Sequence, residues 1–156
     1  ISQLRQFGLT YDLLIFPKQL PAAVELVRRF PEQPFVLDHL AKPFIRAGTL
    51  APWREQIREL AQSPNVCCKV SGMVTEADWQ NWKSGDLQRY VDIALESFGP
   101  SRLMYGSDWP VCELAGTYQQ VYSALRECLS RLSTHEQHLI FCDTAKIFYR
   151  LDLSEI

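Results

Sequence analysis

Four short apolar runs, each followed by a segment with helical periodicity, predict an α/β fold built on a parallel sheet. Three observations carry this. Residues 11–16, 34–39, 66–71 and 102–106 have strand length and are rich in aliphatic and aromatic side chains. The segments that follow them place apolar residues at helical spacing over ten or more positions. Proline, glycine and asparagine punctuate the junctions. The apolar strands read as buried on both faces. Periodicity alone leaves two architectures open, a small doubly wound sheet or half of a (β/α)₈ barrel.

The elements follow in order. Ile1, Leu4 and Phe7 share a helical face and Gly8 is a helix stop, so the chain is expected to begin inside a helix, as a segment cut from a longer protein would. Pro17 ends the first strand, and Leu20, Val24 and Val27 set the first helix, up to Phe30. Pro31 and Pro34 lead into the second strand, which ends at Asp38-His39. Pro43 and Gly48 mark a loop before the helix of Trp53, Ile57, Leu60 and Ala61. The third strand carries Cys67, Cys68, Lys69 and Ser71, and a polar excursion with Trp79 and Trp82, read as loop packing, separates it from an amphipathic helix through Leu87, Tyr90, Val91, Ala94, Leu95 and Phe98. Gly99-Pro100 stops that helix, and the fourth strand runs into Ser107-Asp108-Trp109-Pro110. A long helix through Tyr118, Val121, Leu125 and Leu129 follows. Ser133 and Glu136 form a capping box, and Asp143 is the expected N-cap of a terminal helix bearing Ile147 and Phe148.

Composition limits the function classes. With 156 residues, 47% hydrophobic and 22% charged, and a formal net charge of −2, the chain is long enough for one domain (residues 1–156) with a real core and lacks the basic excess of a nucleic-acid binder. No apolar run approaches the ~20 residues that span a bilayer. The expected partner is therefore a small molecule, with no nucleic acid and no membrane. Cys67, Cys68, Cys112, Cys128 and Cys142 form no C-x-x-C pair, and they are read as mostly buried thiols of a reduced, cytoplasmic protein rather than a disulfide frame or a zinc site.

In a parallel α/β sheet the chemistry gathers at the C-terminal ends of the strands. Three such ends carry polar residues here: Asp38-His39, Lys69 with Ser71, and Ser107-Asp108. These segments also carry a family resemblance. Residues 37–43 (LDHLAKP) resemble the LDH-x-x-KP strand end of amidohydrolase-related sugar lactonases, residues 66–72 (VCCKVSG) their V-x-x-K-x-SG strand, and residues 102–110 (RLMYGSDWP) their R-L-M-x-GSDWP strand end. Residues 8–13 and 144–151 are similar to the family's GL-x-x-D-L and TA-x-x-FY-x-L segments. The resemblance, to the fuconolactonase-like branch of the amidohydrolase superfamily, spans nearly the whole chain. It implies that the four βα units are the C-terminal half of a (β/α)₈ barrel, truncated at its N-terminal side, and that the family's first-strand H-x-H pair lies outside this sequence.

The resemblance implies a hydrolase acting on a sugar-acid lactone or similar cyclic ester, with Asp108 as the base that activates water. The alternative for Asp108 is turn chemistry ahead of Trp109-Pro110. His39 is expected to polarise the carbonyl or to bind a metal, against the plainer reading of a core histidine. Asp38, by strand alternation, is expected to point away from His39 toward the helix layer or a loop. Lys69 and Ser71 share a strand face and are expected to reach substrate oxygens, the alternative for Lys69 being a side chain that snorkels from the rim. Lys42 and Trp109 are further substrate-binding candidates. No cofactor is certain; a divalent metal such as zinc is compatible with His39 and Asp108. His135 and His138, at i and i+3, are read as solvated helix residues. A rival reading is a non-catalytic half-barrel acting as an interaction or structural module, self-associating through unpaired sheet edges.

Overall fold

The structure, a computed structural model, describes residues 1–152. Its one sheet holds β1 (Tyr11–Leu13), β2 (Phe35–Leu37), β3 (Val66–Val70) and β4 (Leu103–Tyr105), all neighbours parallel, in the order β1-β2-β3-β4. Between and after them come α1 (Leu20–Arg29), α2 (Trp53–Ala61), α3 (Ser84–Phe98), α4 (Tyr118–Cys128), α5 (Thr134–His138) and α6 (Thr144–Tyr149), with a π-helical turn (Leu139–Asp143) joining the last two.

Register explains the layering. Leu13, Leu37, Cys68 and Leu103 lie side by side, as do Phe35 and Val66, and all of them join one core with Leu20, Val24 and Val27 of α1, Ile57 and Leu60 of α2, Leu87, Val91 and Ala94 of α3 and Leu125 of α4. Helices α1 to α4 therefore cover a single face of the sheet. A doubly wound sheet reverses its strand order and places helices on both faces. Here the order follows the chain and the winding is one-sided, which is the arrangement of half of a (β/α)₈ barrel.

The other face departs from the expected apolar pattern in part: Val36 and Met104 are buried there, but two charged residues join them. Asp12, Val36 and Cys67 form one row across it, with Lys69 beside Met104 above. The charged pair Asp12 and Lys69 sits where a strand covered on both sides would carry aliphatic residues. Strands are also shorter than expected. β1 stops at Leu13, and β2 stops at Leu37, so Asp38 and His39 lie in the turn beyond it. At the start of the chain a single 3₁₀ turn (Arg5–Phe7) stands in place of the expected helix, because Ile1 and Phe7 find no core and are exposed. Gly8 does close it in the left-handed conformation, at φ 67°.

Ser133 and Glu136 form the expected reciprocal cap: Glu136 N–H donates to Ser133 Oγ, and Ser133 N–H donates to the Glu136 carboxylate. Asp143 does not cap α6 with its side chain; its carboxylate faces His138 instead. All five cysteines are free thiols, three of them buried. Among the described residues no helix is long and apolar enough to cross a membrane.

Candidate functional site

The site is built on the turns that leave β2, β3 and β4. Strand alternation would send His39 toward the helices, since Val36 and Asp38 share the inner face. The backbone reverses this. His39, Leu40, Ala41 and Lys42 all have positive φ, between 52° and 58°, a left-handed turn of four non-glycine residues. Such residues cost about 1–2 kcal/mol each in that conformation. The surroundings hold them there. Leu40 and Ala41 are fully buried, and Trp53 Nε1–H donates to the Leu40 carbonyl at 2.7 Å. The turn swings His39 back over the inner face. Asp108, after β4, is likewise left-handed at φ 58°. Strained backbone of this kind clusters at functional sites.

The two groups meet. His39 Nε2 lies 3.8 Å from Asp108 Oδ1, with side chains 17% and 12% exposed, so both are enclosed yet reachable. The other ring nitrogen, Nδ1, is 2.8 Å from Ser71 Oγ. Two glycines make room. A Cβ on Gly72 would stand 2.7 Å from His39 Nδ1, and one on Gly106 would stand 2.9 Å from Ser71 Cβ. Burial, the largest influence, pulls the His39 imidazole below 6.5; Asp108 and Asp38 oppose this, and Lys42 and Lys69 reinforce it.

Serine, histidine and aspartate together suggest a nucleophile triad, but Ser71 is 2% exposed. In this structure its hydroxyl meets the His39 imidazole rather than an open surface, so it is placed to orient that ring. Its hydroxyl can donate to Nδ1 or accept from it, so it supports a proton on either ring nitrogen.

Lys69 is also placed differently from expectation. Its ammonium lies 2.7 Å from Asp12 Oδ2 and 2.8 Å from Asp38 Oδ1, and 5.3 Å from the Tyr149 ring centre, while Tyr149 Oη donates to Asp12 Oδ2 at 2.8 Å. Burial alone would depress its pKa, but the bonds to Asp12, Asp38 and Tyr149 outweigh that and raise it. Lys69 is a paired cation whose charge is felt by His39. The expectation that Asp38 turns to the helix layer is overturned, because its carboxylate completes this clamp. Asp12 and Tyr149 are members that the sequence reading missed. For Asp12 a signal existed, a lone acid in an apolar strand with the parity of Asp38. Tyr149 had none.

Lys42 pairs with Glu76 at 3.2 Å and sits 5.9 Å from the centre of the Phe16 ring, on the rim. Trp109 is 62% exposed and donates its indole N–H to Glu113. Trp82 and Trp79 donate to the Ala115 and Thr75 carbonyls, which is loop packing as expected.

The amidohydrolase family model matches residues 3–151. The chain belongs to the amidohydrolase family. It is 44% identical to an L-fucono-1,5-lactonase of Burkholderia multivorans over 97% of this chain and 54% of that protein. It is 40% identical to the L-fucono-1,5-lactonase of Burkholderia ambifaria over 97% and 53%. A crystal structure of a Burkholderia multivorans amidohydrolase with bound zinc superposes with a TM-score of 0.91 at 42% identity, over 97% of this chain and 56% of that one. The chain thus spans about half the length of the relatives it matches, and all four of its strands lie within the matched region.

Proposed function

We propose that the protein containing this chain hydrolyses a sugar-acid lactone or similar cyclic ester, with the reaction centred on Asp108 and His39. One observation carries the reading: His39 and Asp108, from different strand ends, face each other at 3.8 Å in a partly enclosed site. The lactonase relatives supply the substrate class.

The chemistry follows from the geometry. Asp108 takes a proton from a water molecule as its oxygen adds to the lactone carbonyl carbon. With its proton on Nε2 and Ser71 donating to Nδ1, neutral His39 donates to the developing oxyanion. Collapse of the tetrahedral adduct breaks the ring C–O bond, and the proton held by Asp108 passes to the departing alkoxide. The product is an open-chain hydroxy acid. Lys69, saturated by two carboxylates, offsets negative charge below the site rather than binding substrate directly. Lys42 and Trp109, on the rim, are placed to meet substrate hydroxyls or a ring face.

A divalent metal such as zinc fits part of this site. His39 Nε2 and the Asp108 carboxylate would hold it, and Ser71 accepting from Nδ1–H would fix the ligand tautomer, a common supporting contact. Bound there, it would polarise the carbonyl and acidify water. These are two donors, fewer than the three or four of a zinc site, so this chain supplies only part of the ligand set.

The test is acid release from a panel of lactones, L-fucono-1,5-lactone among them, with and without a chelator. It uses this chain, and the chain extended by whatever coding sequence precedes it. Turnover that falls by about 10³-fold or more in Asp108→Asn is expected, the scale for loss of a catalytic proton acceptor. A folded, extended protein with no lactone turnover overturns the reading. A second reading, a half-barrel interaction module, draws support from the two unpaired sheet edges of β1 and β4 and from the exposed Leu9, Leu14 and Phe16 around β1.

A further inference from the structure

Apart from the strand ends, one other cluster of ligating side chains stands out among the described residues. His138, Cys142 and Asp143 each point one donor atom into a common space, with all three atoms within 4.8 Å of one another. We propose that this trio is a second divalent-metal site, of zinc type, independent of His39 and Asp108.

The backbone explains the convergence. In an α-helix, residues five apart are rotated by about 140° and cannot share a ligand. Residues 139–143 instead form a π-turn, which closes i onto i+5. This brings Asp143 under His138 while Cys142 stays near it at i+4. Such widened turns are rare and are frequently found at functional sites. Asp143 is itself helical, continuous with the π-turn, and its carboxylate faces His138.

The His138–Asp143 separation suits the ion, and the Cys142 thiol, within 4.8 Å of both, needs only a small side-chain adjustment to join them. Nitrogen and oxygen donors bound to zinc at about 2.05 Å with a tetrahedral angle lie about 3.3 Å apart. His138 Nε2 and Asp143 Oδ1 are 3.3 Å apart. Thiolate, imidazole and carboxylate form a mixed set that favours zinc over the hard cations calcium and magnesium, which take oxygen ligands. His138 is largely exposed, so an ion can enter from solvent, and water or a nearby group would take the fourth position. The site would staple α5 to α6 across the π-turn, since all three ligands come from that junction.

Cobalt(II) alone, added to the full chain after treatment with chelator, is the probe. The expected result is a sulfur-to-cobalt absorption in the near ultraviolet with the intense visible bands of four-coordinate cobalt, both displaced by zinc. Cys142→Ser should abolish the sulfur band. His138→Ala should weaken cobalt binding by at least about tenfold, the lower bound for loss of even an outer-shell partner. His39 and Asp108 offer only nitrogen and oxygen, so a metal there leaves the sulfur band silent and the two sites are told apart without any activity measurement. No sulfur band in the folded wild-type chain, or a band unchanged in Cys142→Ser, overturns the proposal and leaves His138–Asp143 as a surface ion pair.

Discussion

His39 is held neutral by its surroundings, and that state is a requirement of the chemistry proposed for it. Burial depresses its pKa; the facing groups are Asp108 and Asp38, which raise it, and Lys42 and Lys69, which lower it, with a net shift below 6.5. The unfolded chain takes up this proton near pH 6.5, before the native state does. Stability from this group is therefore complete above pH 6.5 and lost as pH falls toward the native pKa. We expect the His39 ring signal in an NMR titration to have its midpoint below 6.5, whereas a midpoint at or above 6.5 would show that the two carboxylates outweigh burial. At this scale the sequence was legible where a side chain stands near its own strand end. His39 and Asp108 were recognisable from short segments. The Lys69 clamp was not, because its partners Asp12 and Asp38 come from two other strands and Tyr149 comes from the far end of the chain, 137 residues beyond Asp12.

Among the elements, helices were read better than the turns between them. A helix announces its buried face through period, and Leu20, Val24 and Val27 of α1 are all buried as that period requires. The left-handed turn after β2 has no comparable signature. Rules for positive φ look for glycine or asparagine, and His39, Leu40, Ala41 and Lys42 are neither. Tertiary contacts impose it: the buried Leu40 and Ala41, the Trp53 indole and the Lys42–Glu76 pair. A second junction shows the same dependence on one side chain. Asn65, just before β3, directs its amide nitrogen toward the carbonyls of Val27, Phe30 and Gln33, at 3.3, 3.1 and 3.0 Å, tying the end of α1 and the loop before β2 to the next strand. Asn65→Ala leaves those part-buried carbonyls short of a donor. It should cost roughly 1–3 kcal/mol, read as a lower urea midpoint with unchanged slope. The exposed Gln119→Ala should stay within about 0.5 kcal/mol, and equal effects from the two would remove the special role given to Asn65.

For the whole molecule, the question is what an open half-barrel does with its edges. Among the described residues β1 and β4 each pair with one strand only, which leaves one sheet edge beside each. The polar inner face is partly closed by the chain itself, because Tyr149 and Arg150 reach back to Asp12 and Gly8 and draw the last helix to the first strand. The β1 side lacks such cover: Leu9, Leu14 and Phe16 are each more than half exposed, more apolar surface than one short strand needs to leave open. The strand–helix alternation was legible in the residue pattern and the barrel winding only through the family resemblance, but this surface was not, since residues 14–16 were expected inside a strand and instead leave the sheet. The 156-residue chain is therefore expected to associate through the β1 side. Sedimentation velocity should show its mass rising with concentration, and Leu14→Lys with Phe16→Lys should shift it toward the monomer. A chain that stays monomeric at high concentration would mean that the Tyr149 strap and the short strands suffice to protect the edges, and it would remove the support for an interaction module. An associating chain with no lactone turnover would keep that module in play, whereas lactone turnover gained only on adding upstream sequence, with loss of self-association, would show that the same edge is the seam along which the catalytic barrel closes.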